Sequence, residues 1–151
     1  MTAPILVFGW GNPSRGDDSV GPLLVERIEA LKLPGVECLT DFQLQVEHAL
    51  DLQNRRRILF VDASVDAEAP FTVTPIAPRK DASFTSHAMS PQSVLQVFCE
   101  LTDEEAPATW LLAIRGERFE LGEPLSAAGS AHLEAAFAWI HGWLTRPATD
   151  Q

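Results

Sequence analysis

Four residues of this 151-residue chain have types and positions suited to chemistry. Asp17 and Asp18 lie side by side in a glycine-rich loop, Asp62 closes an apolar run, and His87 stands in a polar stretch. Asp18, Asp62 and His87 together offer two carboxylates and an imidazole. That oxygen/nitrogen set suits a borderline divalent ion such as zinc, nickel or iron. Three protein ligands also leave a coordination position open for substrate or water. Taken singly, each residue has an ordinary role open to it. Asp18 reads as a helix N-cap, Asp62 as a turn cap, and His87 as an exposed loop histidine. The case for a joint site rests on the elements that position them.

The run Ile5-Leu6-Val7-Phe8 breaks at Gly9, Gly11 and Pro13, passes the two aspartates and enters a helical pattern with Val20, Leu23, Leu24, Ile28 and Leu31 at helical spacing. Ser19 is the expected cap, and Pro22 is tolerated in a first turn with spare N–H groups. Asp17 and Asp18 then precede the helix, where its dipole favours negative charge. Pro34-Gly35 ends it. Val36 to Thr40 predicts a second strand ending at Asp41, followed by a short helix from about Gln43 to Gln53. Ile58-Leu59-Phe60-Val61 is a continuous apolar run, as in parallel strands covered on both faces, and it ends at Asp62.

Phe71 to Ile76 follows too short a connection for a crossover and is expected antiparallel, at or near a sheet edge. Ala77 to Ala88 is an irregular loop carrying His87. Ser90-Pro91 opens a helix with Val94, Leu95, Phe98 and Leu101 on its apolar face. Trp110 to Ile114 is a further strand ending at Arg115-Gly116, Glu117 to Pro124 a loop or short hairpin, and Ala127 to about Leu144 a final helix. Alternating strands and helices predict a three-layer α/β/α fold, with a twisted, mostly parallel sheet of about five strands, one of them antiparallel, and helices on both faces. One domain is expected over residues 1–146, with 147–151 a frayed tail. Asp18 and Asp62 then fall at the carboxyl ends of central strands, where α/β proteins bind ligands.

A net charge of −10 and a pI near 4.7 work against nucleic acid or an anionic membrane as partner. Cys38 and Cys99 lack CxxC spacing and read as small buried hydrophobes in a reducing, cytoplasmic setting. The opening apolar run is too short for a membrane span and unlike a signal peptide. His132 and His141 are nine residues apart, on nearly opposite faces of one helix, and cannot chelate together. His48 has no partner at i±4. Dinucleotide binding is disfavoured, because Gly16 comes two residues too late for the fingerprint and the aspartates would repel a pyrophosphate.

Gly11-Asn12-Pro13-Ser14-Arg15-Gly16-Asp17-Asp18-Ser19-Val20-Gly21 resembles the signature of the nickel–iron hydrogenase maturation endopeptidases. Phe60-Val61-Asp62-Ala63 resembles that family's second motif, and Ser86-His87 ahead of a helix its third. Ile114-Arg115-Gly116 with Phe119-Glu120-Leu121-Gly122-Glu123 is similar to a stretch in some branches. The resemblance spans essentially the whole chain. It implies an aspartate-dependent endopeptidase that removes a short C-terminal peptide from the nickel-loaded precursor of a hydrogenase large subunit. Asp18, Asp62 and His87 would then be the catalytic, metal-contacting residues. Nickel would arrive with the precursor, with zinc or cadmium able to substitute in vitro. Many relatives carry Glu at the Asp18 position, so Asp17 is an alternative ligand. Asp17, Asp41, Arg115 and Glu117 are candidate substrate contacts. The rival reading is a non-catalytic, metal-sensing assembly chaperone of the same precursor.

Overall fold

The computed structural model describes residues 2–80 and 89–146, so His87 and the expected frayed tail at 147–151 lie outside the described residues. Five strands form one sheet: β1 (Ile5–Trp10), β2 (Val36–Asp41), β3 (Arg57–Ser64), β4 (Phe71–Pro75) and β5 (Ala108–Arg115). Their order is β2-β1-β3-β5-β4. The pairs β1–β2, β1–β3 and β3–β5 are parallel, and β4 runs antiparallel to β5 at the edge. The helices are α1 (Val20–Ala30), α2 (Pro91–Thr102) and α3 (Ala127–Thr145).

The central strands are apolar throughout because both sheet faces are covered. Successive side chains point to opposite faces. Val7, Leu59 and Val61 pack with α1 and α3 through Leu24, Val25, Ile28, Leu133 and Ile140. Leu6, Phe8, Ile58 and Phe60 pack on the other side with Val94, Leu95 and Phe98 of α2. This is the three-layer arrangement the sequence predicts, and it sets the carboxyl ends of β1 and β3 next to each other.

Local details differ from expectation. The segment before α1 is a 3-10 helix, Gly16–Ser19, running directly into it. Ser19 therefore does not cap α1 from an extended backbone; its hydroxyl donates back to the Gly16 carbonyl at 2.7 Å. The short helix after β2 is also 3-10, Val46–Leu52, with His48 drawn into its start. Strand β3 continues past Asp62, which pairs with Ala113 of β5. Ser90 and Ser126 cap α2 and α3 by accepting from the Ser93 and Gly129 N–H groups.

Candidate active site

Strand β1 ends at Trp10, while β3 runs on through Asp62 to Ser64. Past the Gly9–Val61 pair, β3 therefore loses its β1 neighbour, at the carboxyl ends of two parallel strands, the place where α/β sheets bind ligands. Gly11 turns the chain into the loop at φ +152°, where a Cβ would lie 1.9 Å from the Asp18 carbonyl oxygen. Only glycine lets the loop close this tightly on itself. One Asp18 carboxylate oxygen, Oδ2, accepts from the Asn12 N–H at 2.7 Å.

Asp62 feels the charge of Asp18 there. Burial pushes the Asp62 carboxyl up to about 7; the Ala63 N–H donated to its Oδ1 at 2.8 Å works the other way, and the Asp18 charge raises it further. Among the described residues, the second oxygen of each carboxylate has no hydrogen-bond partner. Two carboxylates with free oxygens, one reluctant to ionise, can bind a cation or exchange a proton near neutrality. No group of three or more metal-binding side chains is assembled among the described residues. The sequence assigns the third position to His87, which lies outside them.

Asp17, next to Asp18 in the same turn, points its carboxylate at other partners. It is fully buried. Its carboxylate accepts from the Glu117 N–H at 2.7 Å, the Arg118 N–H at 3.1 Å, the Ser126 N–H at 2.8 Å and the Ser126 hydroxyl at 2.7 Å. Burial opposes its ionisation, but these hydrogen bonds outweigh it and the pKa falls below its ordinary value. The Ser126 hydroxyl also caps α3, so one carboxylate ties the β1–α1 loop to the start of the last helix. Asp17 is therefore neither a stand-in for Asp18 nor a substrate contact. That is a correction to the sequence reading, and its cause is a nest of donors a hundred residues away.

The other candidates have internal partners. Asp41 ends β2, and its carboxylate accepts from the Phe42 N–H at 2.7 Å. The buried His48 takes the Gln45 N–H on Nδ1 at 2.8 Å, so Nε2 carries the proton that it donates to Asp41 at 3.0 Å. Spacing alone left His48 without a partner because Asp41 belongs to a different element. Arg115 donates from Nη1 to the Ala67 carbonyl at 3.1 Å, and its Nε lies 3.4 Å from a Glu117 carboxylate oxygen. His132 donates from Nδ1 to the Arg115 carbonyl at 2.8 Å, bracing the end of β5. Cys38 is no nucleophile, since burial, with Glu29 and Glu37 nearby, pushes its thiol up to about 11.

Comparison with protein-family models and with curated proteins returns no match. Solved structures do match. The hydrogenase maturating endopeptidase HybD from E. coli is 25% identical, with a TM-score of 0.71 over 97% of this chain and 99% of that one. An endopeptidase from Escherichia coli is 26% identical, at a TM-score of 0.68 over 90% of this chain and 88% of that one. The NiFe hydrogenase maturation protease HycI from Thermococcus kodakarensis KOD1 is 23% identical, at a TM-score of 0.71 over 95% and 94% of the two chains. The chain thus shares its fold over nearly its whole length with hydrogenase maturation endopeptidases of known structure, and is similar to them in the order of its motifs along that fold.

Proposed function

We propose that this protein is a processing endopeptidase that removes a short C-terminal peptide from the nickel-loaded precursor of a nickel–iron hydrogenase large subunit. One observation carries the reading. Asp18, in the loop after β1, and Asp62, near the end of the adjacent β3, are close enough for one charge to act on the other, and each has a carboxylate oxygen unused by the described residues. The likeness to the E. coli endopeptidases supports it.

In this reading Asp18, Asp62 and His87 contact nickel that the precursor already holds, and zinc or cadmium serves in its place in vitro. Carboxylate and imidazole donors suit such an ion. Binding would clamp the precursor with its scissile bond beside the two carboxylates, so the gain is one of positioning. Burial and the Asp18 charge hold the Asp62 carboxyl up to about 7 before nickel arrives, so binding the metal would displace a proton from it. A carboxylate oxygen left free of the metal would accept the proton of attacking water and return it to the leaving amine. Arg115 and Glu117, where β5 ends beside β3, are assigned to the peptide tail. The setting proposed is the cytoplasm.

The test mixes purified protein with purified precursor, nickel-loaded or nickel-free, and weighs the precursor. Loss of a C-terminal fragment from the loaded form alone agrees with the proposal. A stable complex of unchanged mass favours a chaperone, and equal cutting of both forms removes nickel as the recognition feature.

A further inference from the structure

A cleft of about 450 Å³ lies against the loop that carries Asp18. Gly11 and Pro13 of the Asp18 loop form one wall, Leu23 and Glu26 of α1 another, and Asp41 and Phe42 at the end of β2 the third. Its lining is mostly apolar, and its charged members are two carboxylates with no cation among them. Glu26 is exposed and has no ion-pair partner among the described residues. Asp41 is fixed in place by His48 and the Phe42 N–H, yet its side chain keeps 45% exposure. The Phe42 ring stands beside them 67% exposed.

An aromatic face flanked by carboxylates attracts an ammonium or guanidinium group from both sides. The overall charge of −10 adds a field that draws basic segments and turns away acidic ones. A shallower depression shares Leu23 and Glu26 and continues past the Arg27–Glu134 ion pair, whose charges cancel, to Leu125 and Leu133 on the α3 side. The surface is thus a groove rather than a socket, suited to several residues of extended chain.

We propose that this groove docks an extended, apolar segment of the protein substrate that carries Lys or Arg, seated beside the bond presented to Asp18 and Asp62. The link to cleavage rests on the function proposed above; the binding does not.

The experiment titrates the ¹⁵N-labelled full chain with an acetylated peptide amide, Ala-Leu-Lys-Phe-Arg-Leu, and with its counterpart bearing Glu for Lys and Arg. The basic peptide should shift the amides of Gly11, Leu23, Glu26 and Phe42, and the acidic one should not. Glu26→Lys and Phe42→Ala, both at exposed positions, should each weaken binding about tenfold. With nickel-loaded precursor the same variants should raise KM and retain kcat. Equal binding of the two peptides overturns the proposal. So do shifts confined to other surfaces, concentration-dependent shifts without peptide that reveal a second copy in the groove, or an unchanged KM in both variants. Selective binding of the basic peptide by a protein that cuts no precursor overturns the peptidase reading and upholds the groove.

Discussion

The two sides of the β1–α1 loop treat a carboxylate in opposite ways. On the inner side, Asp17 is fully buried yet ionises more readily than usual, because four hydrogen-bond donors converge on it. On the outer side, Asp62 resists ionisation, because burial is answered by a single N–H and compounded by the Asp18 charge. Burial alone does not decide whether a carboxyl ionises more or less readily than usual. The supply of donors does.

Breaking the inner side should have the largest effect. Asp17→Ala strands two loop N–H groups and the Ser126 N–H in the interior, and should cost about 3 kcal/mol or more, read by thermal or urea unfolding. Asp17→Asn should recover only part of this, since an amide turns a donor toward donors. Full stability in both would dissolve the contrast.

The outer side should respond with the reverse sign. A carboxyl raised from 3.8 to about 7 favours the protonated folded state, so stability falls as pH rises between those values. Well inside that window each pH unit costs on the order of 1 kcal/mol. Asp62→Asn keeps the shape without the charge. It should raise the melting temperature at pH 8 and bring no gain at pH 4, while precursor processing is lost. Asp17 works the other way, contributing stability above its ordinary pKa that disappears as pH falls through its lowered one.

Two smaller effects sharpen the comparison. A Cβ at Gly129 would stand 2.4 Å from an Asp17 carboxylate oxygen. Gly129→Ala should therefore destabilise by about 1–3 kcal/mol, measured by urea unfolding, and shift the Asp62 titration little. Cys38, with its thiol at about 11, should alkylate with iodoacetamide at pH 7.5 far more slowly than a free cysteine, as mass spectrometry would show.

The sheet was legible in the sequence because its strands are buried on both faces. Ile58 to Val61 could scarcely be anything but a central strand, and Phe71 to Ile76 had too short a lead-in to run parallel. The expectation that Asp62 closes its strand missed by two residues, since β3 runs on to Ser64. The division of labour between Asp17 and Asp18 was not legible, because adjacent carboxylates look alike until their distant partners are known. Asp17 is defined by Glu117, Arg118 and Ser126, and His48 by Asp41 on another element. Ser126 carries the one local signal that was missed, a serine two residues beyond Pro124 at the start of an apolar helical pattern. Ser19 looked like a cap and is not one, because a 3-10 turn feeds α1 without a break.

The measurement closest to the centre of this account is precursor mass after incubation with Asp18→Ala and Asp62→Ala, each checked for native circular dichroism. Both folded variants should leave the nickel-loaded precursor at full length while the parent protein trims it. Trimming by either variant at the parent rate would contradict the assignment of the reaction to this pair of carboxylates.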